Sequence, residues 1–126
     1  MTDAALLAQA RAGGRRAFDD LIARHREHVR RFVAVMVGDD TDDLVQEAVA
    51  AAWRDLARFE GRSSFSTWLY GIALNLCRHA LRDRARHAEA VEPAAIDERP
   101  ARHGVLSSIL RRELVERVDF AIGRRA

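Results

Sequence analysis

The chain has 126 residues, of which 48% are hydrophobic and 32% are charged. This size and balance suit one compact domain with a further short segment. No apolar run is long enough to span a bilayer, and the N-terminus lacks the basic-then-apolar plan of a signal peptide. The single cysteine, Cys77, excludes an internal disulfide and fits a reducing cytoplasm.

Two helices are predicted in the first third of the chain. The first covers residues 3–12 and ends at Gly13-Gly14, because glycine accepts the left-handed conformation at a helix C-terminus. The second covers residues 15–37 and ends at Gly38. Its apolar stripe has three- and four-residue spacing. The stripe consists of Phe18, Leu21, Ile22, Val29, Phe32, Val33 and Met36.

An acidic helix is predicted to follow. Asp39, Asp40 and Thr41 can cap its free backbone N–H groups, and the carboxylates of the two aspartates suit the positive end of the helix dipole. The predicted buried stripe is Val45, Val49, Ala52, Leu56 and Phe59. The opposite, polar face is formed by Asp43, Gln46, Glu47, Ala50 and Arg54.

A loop at residues 60–64, with Gly61 at its centre, separates this helix from a basic one. Ser64 or Ser66 can cap the basic helix, which is predicted to run to about His87. Its predicted inner stripe is Phe65, Leu69, Ile72, Leu76 and Ala80. Its predicted outer stripe is Gly71, Asn75, Arg78, Arg82 and Arg86.

Charge is segregated along this part of the chain. Residues 38–60 carry seven acidic side chains against two arginines, and residues 61–88 carry five arginines against one aspartate. Such blocks indicate two partners of opposite sign, although a solvated surface with chance clustering is the commoner explanation. The chain has no lysine. Arginine is the better residue for forked contacts to phosphate and for stacking on bases.

The last third of the chain begins with a predicted linker, residues 89–104, which contains Pro93, Pro100 and no helical period. Residues 105–122 resume an amphipathic pattern that includes Leu106, Ile109, Leu110, Leu114, Val118 and Ile122. One short helix cannot form a core alone, so it must pack on the first domain, find a partner, or fray.

The motif DDLVQE followed by FEGRSSFSTWLYGIALN resembles the ECF class of bacterial RNA polymerase sigma factors. The resemblance covers region 2 of that family, from about residue 8 to residue 86. It implies an all-α fold, a compact helical bundle in which three long helices share one core. The implied domains are region 2 at 1–88, the linker at 89–104 and the start of region 4 at 105–126.

The resemblance implies that the acidic helix docks on a coiled coil of the polymerase β′ subunit. The matching residues are Asp43, Gln46 and Glu47. Their carboxylates suit arginine partners, and the amide can both donate and accept. Asp39 and Asp40 are interpreted only as charges at the helix start.

The resemblance also implies that the loop and basic helix bind the nontemplate strand of the promoter −10 element. Capture of a flipped base needs a stacking surface, backbone groups for the base edge and nearby positive charge. The implied DNA-binding residues are Phe59, Gly61, Arg62, Ser63, Ser64, Tyr70, Asn75, Arg78 and Arg82. Phe65 and Trp68 are interpreted as core aromatics, and Arg84 and Arg86 either follow phosphates or stabilise the helix end.

The sequence departs from the family in two places. Many members carry arginine where this chain has Gly71. The absence of that arginine removes one implied DNA contact. Residues 111–123 resemble the first helix of region 4, but no helix-turn-helix follows before the chain ends. We therefore expect this chain not to recognise a −35 element.

The predicted function is promoter recognition and melting as part of RNA polymerase, with no enzymatic activity, no cofactor, no metal, and an anti-sigma factor as a further candidate partner. One alternative is an interaction protein that binds polymerase as a decoy or anti-sigma target. Another is an enzyme or metal protein, but His25 and His28 lack a clear third ligand and no catalytic constellation is found. Cys77 is interpreted as a small core residue.

Overall fold

The computed structural model describes residues 1–90 and 112–118. It contains α1 (Asp3–Arg11), α2 (Arg15–Val37), α3 (Thr41–Asp55), a short 3-10 helix (Leu56–Arg58) and α4 (Phe65–Ala90). Residues 112–118 are also helical. No strand occurs in these described residues, and the predicted all-α fold is confirmed. None of their helices is long and apolar enough to cross a membrane.

The turn between α1 and α2 depends on two glycines. Gly13 has φ +99°, a conformation that side-chain-bearing residues rarely adopt. A Cβ at Gly14 would lie only 2.8 Å from the backbone oxygen of Gln9. The glycine pair therefore both ends α1, as predicted, and lets α2 start close against it.

The centre of the bundle is α2, which contacts α1, α3 and α4. Its predicted apolar stripe is confirmed, since all seven side chains are buried. At its N-terminal end the Phe18 ring lies 5.0 Å from the Trp53 ring of α3, with the Arg15 guanidinium 5.0 Å over that tryptophan. A cation over an aromatic face is attracted by the ring quadrupole, so this contact ties the start of α2 to α3.

The predicted buried stripe of α3 is also confirmed, although the helix ends at Asp55 and Leu56 lies in the 3-10 helix. The predicted capping by the Asp40 side chain is wrong. Asp40 occupies the cap position with a left-handed backbone, φ 56° and ψ 26°, and its side chain makes no cap hydrogen bond. A capping side chain needs an extended backbone to reach the first helical N–H groups.

The inner side of α4 differs from the prediction. Phe65 and Leu69 are buried as expected, but Ile72, Leu76 and Ala80 are only half-buried. The fully buried positions are instead Ala73, Leu74 and Cys77. The reason is that α4 contacts both α2 and α3, so its buried arc is wide and rotated from the predicted stripe. The interpretation of Cys77 as a core residue is confirmed.

The C-terminal helical segment, residues 112–118, packs on the first domain. Val118 is 8% exposed and belongs to the main core, and Leu114 and Val115 pack against it. Of the three alternatives for this segment, the structure therefore shows packing. The predicted linker from residue 91 onward and the ends of the predicted C-terminal helix lie outside the described residues, and α4 continues through Ala90.

Candidate partner-docking and nucleic-acid faces

The polar face of α3, defined here as Asp43, Gln46, Glu47, Ala50 and Arg54, is exposed along its whole length. Its opposite side is buried in the core, so the helix cannot rotate without exposing apolar side chains. The structure therefore brings the three predicted docking residues together on one surface.

Two carboxylates of the α3 face have no cation of their own. In the described residues neither Asp43 nor Glu47 takes part in an ion pair. Arg54 is instead paired with Asp55 at 3.3 Å, and its hydrogen bonds lower the pKa of that carboxyl. The charge of Arg54 is thus balanced by Asp55. The carboxylates of Asp43 and Glu47 therefore give this face its negative charge.

The side chain of Gln46 is held by α2. Arg26 Nη2 donates to Gln46 Oε1 at 2.9 Å. With its carbonyl oxygen accepting from Arg26, the amide directs its NH₂ group away from that contact as a donor. The α3 face therefore offers one donor between two acceptors. Arg26 was not among the predicted residues, because nothing in local spacing indicates a contact across 20 residues.

The loop at residues 60–64 carries exposed polar groups on a left-handed turn. Gly61 has φ +77° with no other atoms within 4 Å of where a Cβ would be. Arg62 is 88% exposed and forms an ion pair with Glu60 at 3.0 Å. Ser64 caps α4, as predicted, by accepting from the backbone N–H of Thr67 at 3.2 Å. The backbone around Gly61 and the Arg62 guanidinium remain accessible for an incoming ligand.

Three aromatic side chains, the aromatic cluster Phe59, Phe65 and Trp68, support this loop. The Phe59 ring lies 5.1 Å from Trp68 and 6.4 Å from Phe65, and only 4% of Phe59 is exposed. The core interpretation of Phe65 is confirmed, and Trp68 packs in the same cluster. Phe59 presents no free ring face, so in this conformation it supports the loop and offers no stacking surface.

The exposed side of α4 retains part of the predicted outer stripe. Asn75, Arg82 and Arg86 are exposed and Arg78 is half-buried, but Gly71 is buried, so its placement on the outer stripe is wrong. Gly71 falls at the border of the wide buried arc of α4. Arg86 pairs with Asp83 within the same helix. We call Asn75, Arg78, Arg82 and Arg86 the α4 stripe.

Arg84 does not lie on the α4 stripe. Its guanidinium donates to the backbone oxygen of Val37 at 2.8 Å, at the end of α2. The Arg84 guanidinium therefore already has a hydrogen-bond partner within the fold, which competes with the predicted contact to phosphates. The sequence carried a signal for this, because Arg84 is out of step with the four-residue spacing of Arg78, Arg82 and Arg86.

Tyr70 is half-buried against α2. Its ring packs edge-on against Phe32 of α2 at 5.3 Å, and burial raises the pKa of its hydroxyl. It lines a cavity of about 500 Å³ between α2, α4 and the C-terminal helical segment. The ring of Tyr70 is therefore occupied within the fold, whereas Asn75 and Arg82 are exposed on α4.

The two histidines considered as metal ligands have different surroundings. His25 Nε2 lies 2.7 Å from Asp3 Oδ2, and Arg24 donates to the other oxygen of Asp3 at 3.0 Å. His28 lines the cavity beside Tyr70. Among residues 1–90 and 112–118, no three side chains of metal-ligating type come together. His25 therefore serves to attach α1 to α2.

Comparison with known proteins shows what the fold resembles. Residues 21–87 match the model of the Sigma-70 region 2 family. The ECF RNA polymerase sigma-E factor of Escherichia coli (strain K12) is 36% identical over 98 residues, which are 77% of this chain and 51% of that protein. The factor of the same name from Haemophilus influenzae is 36% identical over 87 residues, 68% of this chain and 46% of that protein. The chain thus spans about half the length of these relatives.

Two solved structures are similar. One is an engineered region 2 of sigmaE in complex with GTAAAA, with 36% identity and a TM-score of 0.64 over 69% of this chain and 93% of that one. The other is CnrH in complex with the cytosolic domain of CnrY, with 31% identity and a TM-score of 0.57 over 97% of this chain and 90% of that one.

Proposed function

The chain belongs to the Sigma-70 region 2 family, and we propose that it acts as an ECF-class sigma factor. It would dock on core RNA polymerase and recognise and melt the promoter −10 element. Such a protein works by binding energy, because a surface that binds melted DNA better than duplex shifts the equilibrium toward the open state. Its place of action would be the cytoplasm, where the polymerase transcribes.

The observation that carries the docking part of the proposal is the α3 face. Asp43 and Glu47 are exposed carboxylates without an ion-pair partner in the described residues, and Gln46 is held between them by Arg26. Charge-assisted hydrogen bonds from arginine to such carboxylates are stronger than neutral ones. A coiled coil of the β′ subunit with arginines at its surface is the partner we propose.

The nucleic-acid part of the proposal is supported by a relative and by the loop geometry. The engineered region 2 of sigmaE was solved with the hexamer GTAAAA. In the present chain the loop residues Gly61, Arg62, Ser63 and Ser64 precede α4, whose stripe contains Asn75, Arg78 and Arg82. We propose that the loop backbone receives a base edge and that the two arginines follow the phosphates.

The remaining two predicted residues receive adjusted roles. Phe59 is proposed to hold the loop through the aromatic cluster, because its ring is buried. Tyr70 is proposed to reach DNA only by its exposed edge, since its ring packs on Phe32. Residues 105–126 as the start of region 4 stay a prediction. The structure of CnrH with a bound protein domain supports the expectation of an anti-sigma partner for this chain.

A pull-down with purified core polymerase tests the docking proposal. Glu47→Arg is expected to weaken retention by roughly 30-fold or more, about 2 kcal/mol, because a cation would then face cations. The matched control is Asp20→Arg, which makes the same charge change at an exposed position of α2 outside the α3 face. Equal retention of the Glu47→Arg variant and the parent chain, or equal losses in both variants, would contradict the docking assignment.

Binding of fluorescent hexamers tests the nucleic-acid proposal independently of polymerase. The chain is expected to bind GTAAAA more tightly than a scrambled hexamer of the same composition, with affinity falling as salt rises. Asn75→Ala is expected to reduce that preference while leaving polymerase retention unchanged. A chain that binds both hexamers equally would contradict base recognition.

A further inference from the structure

Arg84 joins α4 to the turn that precedes α3. Its Nη1 donates to the backbone oxygen of Val37 at 2.8 Å, and its Nη2 lies 3.4 Å from the backbone oxygen of Asp39. These acceptors are 47 and 45 residues away in the chain. One guanidinium therefore spans the end of α2 and the turn that follows it.

The two acceptors lie at and just after the C-terminal end of α2, where Val37 O also accepts from the backbone N–H of Asp39 at 2.9 Å. Carbonyls in the last turn of a helix lack intrahelical donors, and a cation is favourable at that negative end. The last turn of α2 contains no basic side chain of its own. Arg84 supplies this cation from α4.

The turn itself is unusual in its backbone. Gly38 has φ 77° and Asp40 has φ 56°, and the Asp40 side chain makes no cap hydrogen bond to α3. A left-handed conformation is unfavourable for a residue other than glycine. Hydrogen bonds within the turn, from Asp39 N–H to Val37 O at 2.9 Å and from Thr41 Oγ1 to Gly38 O at 3.3 Å, act together with the Arg84 contact, which reaches the turn from another helix.

The first turn of α3 begins at this turn, whereas the rest of α3 is held by its core packing on α2 and α4. The backbone N–H of Leu44 donates to Asp40 O at 3.0 Å, which makes Asp40 the first acceptor of α3. Asp43, the first residue of the α3 face, comes three positions later. A change in the turn would thus alter the first turn of α3, which carries Asp43 at the start of the α3 face.

We propose that Arg84 is a positioning residue for the α3 face. By fixing the turn at residues 37–40, it holds the start of the α3 face in a set orientation relative to α4. The identity of the docking partner rests on the proposed function, whereas the positioning of the turn does not. Arg84 would then contribute to polymerase binding although it is carried by the DNA-binding helix, and it would not bind phosphate.

The test compares Arg84→Ala, Arg84→Lys and Arg82→Ala. The two alanine variants lose the same charge two residues apart on α4, but Arg82 is exposed and, in the described residues, makes no hydrogen bond to the turn. Amide hydrogen exchange is measured at Gly38 and Leu44, which are hydrogen-bonded in and after the turn, and at Gly14 as an internal reference in the other turn. Retention on core polymerase and affinity for GTAAAA are measured on the same samples.

Arg84→Ala is expected to speed exchange at Gly38 and Leu44 several-fold relative to Gly14, and to weaken polymerase retention roughly fivefold to tenfold. Its hexamer affinity is expected to fall less than that of Arg82→Ala, which keeps parental exchange and retention. Arg84→Lys, which keeps the charge and can reach one carbonyl, is expected to be intermediate. It also serves as the test variant if Arg84→Ala does not fold.

Unchanged exchange at Gly38 and Leu44 in the Arg84 variants would overturn the proposal, whatever the polymerase result. So would loss of hexamer affinity equal to that of Arg82→Ala with parental retention, since that pattern belongs to a phosphate contact. If the parent chain does not bind polymerase at all, the proposed function fails, and the exchange rates alone decide whether Arg84 positions the turn.

Discussion

The α3 face and the α4 stripe are both exposed polar surfaces on amphipathic helices, but the protein uses their charges differently. On α3 the carboxylates of Asp43 and Glu47 have no ion-pair partner in the described residues. On α4, by contrast, Arg86 of the stripe pairs with Asp83, and Arg84 beside the stripe donates to backbone carbonyls at the end of α2 and in the turn after it. A run of like charges therefore does not define a binding surface, and internal contacts decide which of its members can serve a partner.

The two regions also differ in what supports them. The α3 face belongs to a regular helix whose opposite side is buried in the core along its whole length. The loop before α4 is supported by the aromatic cluster, and its turn depends on the left-handed backbone of Gly61. Damage to the aromatic cluster should consequently affect the loop before it affects the α3 face.

The largest expected effect is that of Phe59→Ala. Removing a buried phenylalanine costs about 3–5 kcal/mol of unfolding free energy, which urea denaturation would measure. Under conditions where the variant stays folded, hexamer binding should fall more than polymerase retention, because the loop loses its support. Phe18→Ala is the matched control, since that ring is also buried but packs on Trp53 and not in the aromatic cluster. The same selective loss in both variants would contradict a local role for the cluster.

The next effect separates two arginines of the α4 stripe. Arg82→Ala should reduce the slope of log affinity against log salt concentration by about 0.7 for single-stranded DNA, as expected for one lost phosphate contact. Arg86→Ala should change the slope less, because its guanidinium is already paired with Asp83. Salt titrations of hexamer binding would measure both. Equal changes in slope would mean that the internal pair does not compete with phosphate.

A smaller effect concerns how α1 is attached beside the aromatic cluster. Hydrogen bonds from Arg24 and then His25 hold the pKa of Asp3 below its ordinary value, and the His25 ring lies 6.0 Å from Phe65. A carboxyl whose pKa is lowered on folding adds stability above its unfolded pKa and loses it as pH falls through the folded pKa. Because Asp3 is 43% exposed, this contribution should be at most about 1 kcal/mol.

Thermal unfolding between pH 6 and pH 2 would measure this contribution. Asp3→Asn should lower the melting temperature at pH 6 and flatten its fall with pH. Asp20→Asn, at an exposed position of α2, is the control and should leave the profile unchanged. A parental profile in Asp3→Asn would show that the Asp3 contacts do not stabilise the fold.

Sequence reasoning predicted α2 and α3 more accurately than α4, for a physical reason. The stripes of α2 and α3 are marked by large apolar side chains such as Phe18, Phe32 and Val45, so one face stands out. Around α4, apolar residues occur on most sides, and Leu76 fits a four-residue period as well as the buried Leu74 does. Only the packing positions of α2 and α3 determine whether the face with Leu74 or the face with Leu76 is buried.

The candidate site was predictable to the extent that it depends on residues close in sequence. The spacing of Asp43, Gln46 and Glu47 places them on one face of any helix. The capping expected of Asp40 was wrong because residue type does not determine backbone conformation. The contacts of Arg26 and Arg84 span 20 and 47 residues, and only the packed fold brings those partners together.

The smallest expected effect tests whether the α3 face is more than a set of negative charges. Arg26→Ala removes the donor that holds Gln46 Oε1, and we expect polymerase retention to fall about threefold, the value of one exposed hydrogen bond. Removing a cation makes this surface more acidic, which by long-range attraction alone would strengthen binding to a cationic coiled coil. A weaker complex would therefore report the lost orientation of the amide.

Arg30→Ala makes the same charge change at an arginine paired with Glu27 and not with Gln46, and it should leave retention equal or slightly higher. Raising the salt concentration should remove that small gain but keep the loss in Arg26→Ala, because screening acts on separated charges more than on a direct contact.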